Sequence, residues 1–366
     1  MSMIRKLTPV AIAIAALCSA PAFAAPPPPP PPPPTLATTL AMASNSQSTA
    51  ANVSSNTKSS NSATLGSTVL EHASGNVGVN NAAGDTNQQS NTTSIAASKN
   101  DSTYSNARAT VNNTQAQTQG HSTGVYNNYS ENNAELNHDV LRDATGNVGV
   151  NNAAGDNNQQ ANMTSLSVAN AEHSHTPTRA TANIDSGQRM SNTARSYKSS
   201  NKAELEGHAL ENATGNVGVN NASGSNNQQA NGLAIAKADD GAAKATTDAA
   251  QMTSSTSAMT SSHNRSSLEN DVLENASGNV HVNNASGDNN QQGNFLAIAV
   301  TDDNLATALA PSSQSAMNSA STMRNSSNTA RMSGEVLQNA SGNVGVNNAA
   351  GGNNQQLNSL AIANSN

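Results

Sequence analysis

The stretch ALENATGNVGVNNASGSNNQQANGLAIA, residues 209–236, decides the fold because the chain carries it in five copies. The copies occupy residues 69–96, 140–167, 209–236, 272–299 and 336–363. An apolar residue stands four positions ahead of each copy: Leu65, Leu136, Leu205, Leu268 and Met332. Similar units at long spacing are typical of repeat architectures, in which each unit buries its apolar face against its neighbours. The sequence therefore predicts a stack of five similar units.

Each copy alternates apolar and polar residues with a period of two, which indicates β-strands. In the first copy Val77 and Val79 share one face of a strand, and a turn signal follows at residues 83–86. A second strand then presents one face made of alternate residues: Asn87, Gln89, Asn91, Thr93 and Ile95. The two strands would form a β-arc, which needs stacking on other copies to be stable.

The segment just ahead of each repeat has two interpretations. We expect a short strand around Val69 and Leu70 that ends near residues 74–75. A short helix over residues 203–212 is the alternative, because a spacing of four suits Leu205 and Ala209 on one helical face.

Stacked copies would place like residues over like at about 4.8 Å per layer. Asn and Gln amides both donate and accept, so a column of them can hydrogen-bond along the stack. The predicted fibre-core positions are Val77, Val79, Asn87, Gln89, Asn91, Ile95, Val148, Val150, Asn158, Gln160, Asn162, Leu166, Val217, Val219, Asn227, Gln229, Asn231, Ile235, Val280, Val282, Asn290, Gln292, Asn294, Ile298, Val344, Val346, Asn354, Gln356, Asn358 and Ile362.

The predicted fold is all-β, a β-arc, β-solenoid or cross-β stack of five short repeats joined by flexible linkers. The linkers are rich in Ser, Thr, Ala and Asn without a clear period, and a chain disordered as a free monomer stays an alternative. The expected segments are a signal peptide (1–24), a polyproline tract with a disordered linker (25–64), five repeat units, linkers at 97–135, 168–204, 237–267 and 300–331, and a tail (364–366). Counted from the apolar residue ahead of each copy, the repeat units are 65–96, 136–167, 205–236, 268–299 and 332–363.

Two columns depart from a uniform stack. His281 stands where the other copies have Gly, so we expect that face to be open to solvent in at least the fourth layer. A second column reads Asp85, Asp156, Ser225, Asp288 and Gly352. Stacked carboxylates repel one another, so acid is expected to speed assembly.

The fifth copy has no charged residue and no polar cap after it, which favours a fibre over a monomer.

The composition excludes most other classes of protein. Asn and Gln number 57 and 18, hydrophobic residues are 34%, aromatic residues 2%, and Trp is absent, which is too little apolar surface for an enzyme core. The formal net charge of −7 is weak for 366 residues and argues against nucleic acid or anionic lipid as a partner.

The N-terminus reads as a secretory signal, with basic Arg5 and Lys6, an apolar stretch over residues 7–20 and cleavage expected after Ala24. The chain's one cysteine, Cys18, lies inside that signal, and no membrane span is expected after cleavage. The nine prolines at 26–34 would form a stiff polyproline spacer or a handle for a secretion partner.

The repeat motif, G-N-V-G-V-N-x-A-[AS]-G followed by N-Q-Q and L-A-I-A, resembles the imperfect repeats of the Fap functional-amyloid subunits. The resemblance implies a cross-β fibre of a bacterial biofilm, secreted to the outside or surface of a Gram-negative cell. It implies as partners further copies of the chain, a related nucleator subunit, a periplasmic chaperone and an outer-membrane pore. The chain departs from the family by having five repeats where three are common, and by lacking a C-terminal Cys-x-x-Cys motif.

The alternative function is that of a monomeric β-solenoid adhesin, which binds a polysaccharide or a host surface through its repeated Asn/Gly face. No catalytic site, cofactor or metal site is predicted. His173 and His175 could offer two metal ligands, but they lie in a linker that contains proline, so a metal site is not expected there.

Overall fold

Short alternating polar and small apolar side chains keep this chain extended along most of its length, because Asn, Thr, Ser and Val are poor helix formers. The structure, a computed structural model, describes residues 36–50, 54–100, 104–118, 125–171, 178–302, 304–317 and 319–365. These residues form 26 strands and no helix. The predicted all-β, repetitive fold is therefore confirmed.

The strands wind into five successive rungs. Rung 1 contains β1 (Leu36–Ala50), β2 (Ser54–Thr57), β3 (Ser60–Leu65), β4 (Ser74–Ala83) and β5 (Gln88–Asn100). Rung 2 contains β6 (Tyr104–Thr118), β7 (Val125–Asn128), β8 (Glu131–Leu136), β9 (Thr145–Ala154) and β10 (Gln159–Ala171). Rung 3 contains β11 (Thr178–Ser191), β12 (Thr193–Tyr197), β13 (Ser200–Glu206), β14 (Thr214–Ser223) and β15 (Gln228–Ala238).

The last two rungs repeat this order. Rung 4 contains β16 (Gly241–Thr253), β17 (Thr256–Thr260), β18 (His263–Glu269), β19 (Ser277–Ser286) and β20 (Gln291–Thr301). Rung 5 contains β21 (Ala306–Leu309), β22 (Ser312–Ala316), β23 (Ala320–Arg324), β24 (Ser327–Ser333), β25 (Ser341–Ala350) and β26 (Gln355–Ser365). Each rung therefore holds one repeat together with the linker that precedes it.

Strands with the same place in successive rungs pair in parallel and build five sheets. Three of these sheets contain all the described strands of ten or more residues. The linker sheet is β1-β6-β11-β16-β21 with β22 beside β16, the first repeat sheet is β4-β9-β14-β19-β25, and the second repeat sheet is β5-β10-β15-β20-β26. In the two repeat sheets the register is such that each residue pairs with the equivalent residue of the next copy. The architecture is a parallel, in-register β-solenoid.

Three interiors separate the layers. An alanine core, with Ala107, Ala180 and Ala243 among its residues, packs the linker sheet on the second repeat sheet. A valine core joins the first repeat sheet to the leucines that precede each repeat, such as Leu136 and Leu205. Between the two repeat sheets lies an amide interface built from Asn and Gln side chains. Apolar burial thus flanks a hydrogen-bonded centre.

The turn between the two repeat strands needs glycine. Gly84, Gly155, Gly224, Gly287 and Gly351 have φ values of +106° to +112°, a region that glycine adopts without steric cost. A Cβ on Gly84 would collide with the carbonyl oxygen of Gly155 in the next rung. The constant position of this glycine within the five copies therefore reflects both the turn and the close approach of layers.

The interpretation of the linkers as flexible loops is wrong for the described residues. The linkers contribute long strands that pair across the rungs, including Tyr104–Thr118, Thr178–Ser191 and Gly241–Thr253. The physical reason is that the repeats alone bury too little apolar surface. The alanines of the linker strands cover the outer face of the second repeat sheet and complete its core.

Two expectations for the segment ahead of each repeat are also wrong. The short strand around Val69 and Leu70 does not form: β3 ends at Leu65, residues 66–73 make a turn, and Leu70 has a φ of +60°. The helix over 203–212 does not form either, because β13 and the turn after it occupy that segment. In the middle rungs leucines reach the valine core from the turn.

Several expectations fall outside the described residues: the signal peptide, the polyproline tract, and the pair His173 and His175. Within the described ranges, no helix is long and apolar enough to cross a membrane.

Candidate functional site

The candidate functional site is the set of columns that run along the stack. The structure brings the predicted residues of each column together: the register pairs Val77 with Val148, and the same pairing continues through the later copies. Gln89, Asn91 and Ile95 pair likewise with their equivalents in the second repeat sheet. The columns therefore exist within one chain.

The column that begins at Gln89 is a continuous ladder, called the Gln89 ladder below. Gln89 Nε2 donates to Gln160 Oε1 at 2.8 Å, and the Gln160–Gln229, Gln229–Gln292 and Gln292–Gln356 steps have the same length and direction. Each Nε2 also donates across the amide interface, as Gln229 Nε2 does to the Asn221 carbonyl oxygen at 3.0 Å. The ladder joins both the rungs and the two repeat sheets, and its donors all point toward rung 5.

The column beside it, the Asn91 ladder, runs in the opposite direction. Asn162 Nδ2 donates to Asn91 Oδ1 at 3.0 Å, and Asn231, Asn294 and Asn358 each donate to the copy before them at 2.8–3.0 Å. Asn231 Nδ2 also lies 3.1 Å from Asn220 Oδ1 on the first repeat sheet. Two neighbouring ladders with opposed amide dipoles offset one another electrostatically, so the pair does not accumulate a large dipole along the stack.

The Asn87 column lies at the turn. From the second rung on, its amides follow the same scheme: Asn227 Nδ2 donates to Asn158 Oδ1 at 3.1 Å, Asn290 to Asn227 at 3.0 Å, and Asn354 to Asn290 at 2.9 Å. Each oxygen also accepts the backbone N–H of the next rung, beginning with Asn158 N to Asn87 Oδ1 at 3.0 Å. The column thus holds the turn in register.

The apolar columns have two different environments. In the middle rungs Val148, Val217 and Val280 are buried in the valine core. The isoleucine column instead faces outward. Ile95 is 45% exposed and Ile362 42%, while Leu166, Ile235 and Ile298 between them are partly buried. The two apolar columns therefore contribute differently, one to the interior and one to a surface.

Several further ladders were not predicted from the sequence. Two of them lie in the linkers, and in the first of these Gln47, Gln115, Gln188, Gln251 and Gln314 are joined at 2.7–2.9 Å. A second comprises Asn61, Asn132, Asn201, Asn264 and Asn328, joined at 2.8–2.9 Å. Each of these asparagines stands eight residues before its repeat, for example at 61 against 69 and at 201 against 209. That constant offset is the signal that could have revealed them.

The expectation that the face around His281 is open to solvent is wrong. His281 is 3% exposed and lies between the two repeat sheets, with its Nε2 3.2 Å from Asn343 Nδ2. The neighbouring Gly218 and Gly345 in the same column leave the space that the imidazole ring occupies. Burial lowers the pKa of His281 to about 4, so the ring is neutral at pH 7.

The aspartate column lies inside the β-arc turn. Burial raises the pKa of Asp156 to about 7, although its carboxylate accepts hydrogen bonds from the Asp85 N–H and from Asn127 Nδ2. Burial likewise raises the pKa of Asp288 to about 6, with the Ser225 N–H donating to Oδ1 at 2.9 Å. Both carboxyl groups are buried, so this column responds to pH near neutrality.

The two ends of the stack differ from its middle. Strand β20 in rung 4 is buried over most of its length, whereas nearly every residue of β26 in rung 5 is exposed. In rung 1 the residues of β3 are exposed or partly exposed. Within the described ranges, both terminal rungs therefore present strand edges whose backbone groups lack a pairing strand on one side.

Comparison with known proteins gives three findings. The chain is 50% identical over 97 residues to the functional amyloid subunit FapC of Pseudomonas aeruginosa; the match covers 26% of this chain and 28% of that subunit. No solved structure matches the chain. The family model of the functional amyloid protein FapB/FapC family matches residues 14–127, 39–175, 109–263 and 244–366, which together span nearly the whole chain. The chain therefore belongs to the functional amyloid protein FapB/FapC family.

Proposed function

We propose that this chain is a secreted structural subunit that self-assembles into extracellular amyloid fibres of a biofilm matrix. It does so by templated stacking of its Asn, Gln and Val columns, and it has no catalytic role. The observation that carries the proposal is that, among the described residues, the in-register parallel stack has an open edge at each end. A parallel in-register stack with bare edges continues by adding another copy, because each new layer meets the same side chains in the same places.

The two ends are complementary. Gln356 is the last member of a ladder whose Nε2 groups donate toward rung 5, and Gln89 Oε1 begins that ladder in rung 1. The Asn91 ladder runs the other way, so Asn91 Nδ2 of an added copy would donate to Asn358 Oδ1. A rung 5 to rung 1 contact therefore continues both ladders. A contact between two rung 5 faces would set donors of the Gln89 ladder against donors.

Membership of the FapB/FapC family supports the amyloid role and, by inference, its extracellular setting. The signal expected at residues 1–24 supports export. A related nucleator subunit, a periplasmic chaperone and an outer-membrane pore are the partners we propose on the same family grounds. They are not required for the stacking step itself.

The test is seeded assembly of the full-length chain without its signal. The purified chain is incubated quietly in dilute buffer, with and without fragments of earlier fibres. We expect a lag that seeds abolish, and the aligned product should give X-ray reflections at about 4.7 Å and at about 10 Å. A β-rich monomer that stays in solution and ignores seeds would refute the proposal and favour the monomeric adhesin instead.

A further inference from the structure

An uncharged apolar groove runs along the stack at the open mouth between the two repeat sheets. Its floor is formed by the Gly75 and Asn76 columns of the first repeat sheet. Its wall is formed by two columns of the second repeat sheet, which are Ile95, Leu166, Ile235 and Ile298, and Thr164, Leu233 and Leu296. The strands of the second repeat sheet have 11 to 13 residues against 10 in the first, so the wall projects beyond the floor.

The polar groups of the groove are engaged along the stack. Asn147 Nδ2 donates to Asn76 Oδ1 at 2.8 Å, and Asn279 Nδ2 donates to Asn216 Oδ1 at 2.7 Å. None of the described residues that line the groove is charged. The next outward column contains one charge, Lys237, whose Nζ lies 3.5 Å from Asp239 Oδ1. The groove therefore suits an apolar partner that is as regular along the stack as the groove itself.

The other long faces are charged. On the linker sheet, the column through Leu40 continues with Arg108, Thr181 and Lys244. On the turn before each repeat, the two ring nitrogens of His208 each lie 3.1 Å from a carboxylate, those of Asp139 and Asp271. Burying such faces would remove charges from water at a cost. Among the long faces of the described chain, the groove is the one that packs without this cost.

We propose that the groove joins two filaments. The isoleucine column of one filament packs against the isoleucine column of the other. This inference rests on the proposed function, since it requires filaments. A stable interface needs roughly 20–30 residues on each side. The isoleucine column supplies five exposed or partly exposed residues per chain, so about four to six stacked chains are needed on each side. The occupant is therefore another filament of the same chain and not a single free copy.

The rung spacing gives the length of filament that one chain occupies, and the test uses this length. One chain occupies five rungs, which is about 24 Å of filament at about 4.8 Å per rung. Dark-field electron microscopy of unstained filaments gives mass per length, which converts to the number of chains in each five-rung length. We expect two chains per five-rung length for the wild type. The test variant is Ile95→Thr, Leu166→Thr, Ile235→Thr, Ile298→Thr and Ile362→Thr. It should have one chain per five-rung length, a twofold fall. Threonine favours the extended backbone of a strand but removes apolar surface.

A matched control changes five exposed apolar residues on the linker-sheet side: Leu40→Thr, Met42→Thr, Met252→Thr, Leu305→Thr and Leu309→Thr. It should keep two chains per five-rung length. A single chain per five-rung length in wild-type filaments would overturn the pairing and leave the proposed function standing. An equal fall in both variants would also overturn it. A wild type that forms no filament would overturn both proposals.

Discussion

Gln229 lies wholly inside the stack, and both ends of its amide are used. Its Nε2 donates to Gln292 and its Oε1 accepts from Gln160, each at 2.8 Å. A lysine there would bury an ammonium with no acid beside it, at a cost of several kcal/mol. We expect one such change per repeat (Gln89→Lys, Gln160→Lys, Gln229→Lys, Gln292→Lys and Gln356→Lys) to raise the critical concentration for assembly more than about a hundredfold. Sedimentation measures the unassembled fraction.

The control places lysine on the same face of the sheet, at its exposed end. Ala97 is exposed, and its column already contains a lysine, Lys237. Ala97→Lys should leave fibre yield unchanged. Export of the ladder variant should equal that of the wild type, because export precedes stacking. A normal fibre yield from the fivefold variant would show that the Gln89 ladder is not structural.

His281 works against assembly in acid. Its pKa is about 4 when buried and about 6.5 in an unfolded chain. Between these values the unfolded chain binds a proton and the stack does not, so stability is lost as the pH falls from 6.5 toward 4. His281→Gly restores the residue of the other copies and removes this loss. From pH 7 to pH 5 the variant should gain about 2 kcal/mol over the wild type.

The measurement is the ratio of unassembled chain in variant and wild type at the two pH values. Comparing the two ratios cancels any packing change that is independent of pH. The control is the exposed His263→Asn, whose ratio should not change with pH. A ratio for His281→Gly that also stays constant would mean that the ring is not buried in the assembled state.

At the scale of the β-arc turn, the aspartate column has the opposite pH dependence. The pKa values of Asp156 and Asp288 are raised to about 7 and about 6, above the value of about 3.9 for an unfolded chain. Between these limits the stack binds more protons than the unfolded chain. Its stability is therefore greatest in acid and falls as the pH rises through 6 to 7. Acid should shorten the lag of assembly between pH 7 and pH 5.

Asp156→Asn with Asp288→Asn should remove this dependence, and at pH 7 the variant should assemble at least as fast as the wild type at pH 5, where His281 opposes assembly. The matched control, Asp185→Asn with Asp248→Asn, changes two exposed acids that are also stacked on one another. It should keep the wild-type pH profile. Assembly rates that are flat from pH 7 to pH 4 in the wild type would contradict the prediction.

Elements were predictable where the sequence repeats itself and not where it varies. The five copies keep one length, so the register of Val77, Gln89 and Asn91 could be read from alignment of the chain with itself. The linker strands were not predicted because the spacing between paired residues changes from one rung to the next. Leu36 pairs with Tyr104, 68 positions on, while Ser105 pairs with Thr178, 73 positions on. The alternation of small alanines with polar residues there is also a weak strand signal.

The errors at single residues have a related cause. An alignment shows that His281 replaces glycine, but not that a glycine column leaves a gap between two sheets. It also shows that isoleucine recurs, but not that the second repeat strand projects past the first and exposes it. Both depend on how two sheets of unequal length face each other, which is a property of the packed layers and not of the repeat.

For the whole molecule, the opposed amide ladders make the two ends of the stack different. Every donor of the Gln89 ladder points toward rung 5, and every donor of the Asn91 ladder points toward rung 1. Head-to-tail addition keeps this pattern along a filament. One end always shows a rung 1 face and the other a rung 5 face.

Polarity predicts that each end can be capped separately. A chain with Gln356→Lys and Asn358→Lys can dock through its rung 1 but then presents a charged rung 5, so it should stop growth at one end only. A chain with Gln89→Lys and Asn91→Lys should stop the other end. Two-colour microscopy on labelled seeds would show one-ended growth with either cap and none with both. If either cap alone stopped both ends, the two faces would be interchangeable, and the direction of the amide ladders would play no part in how one copy recognises the next.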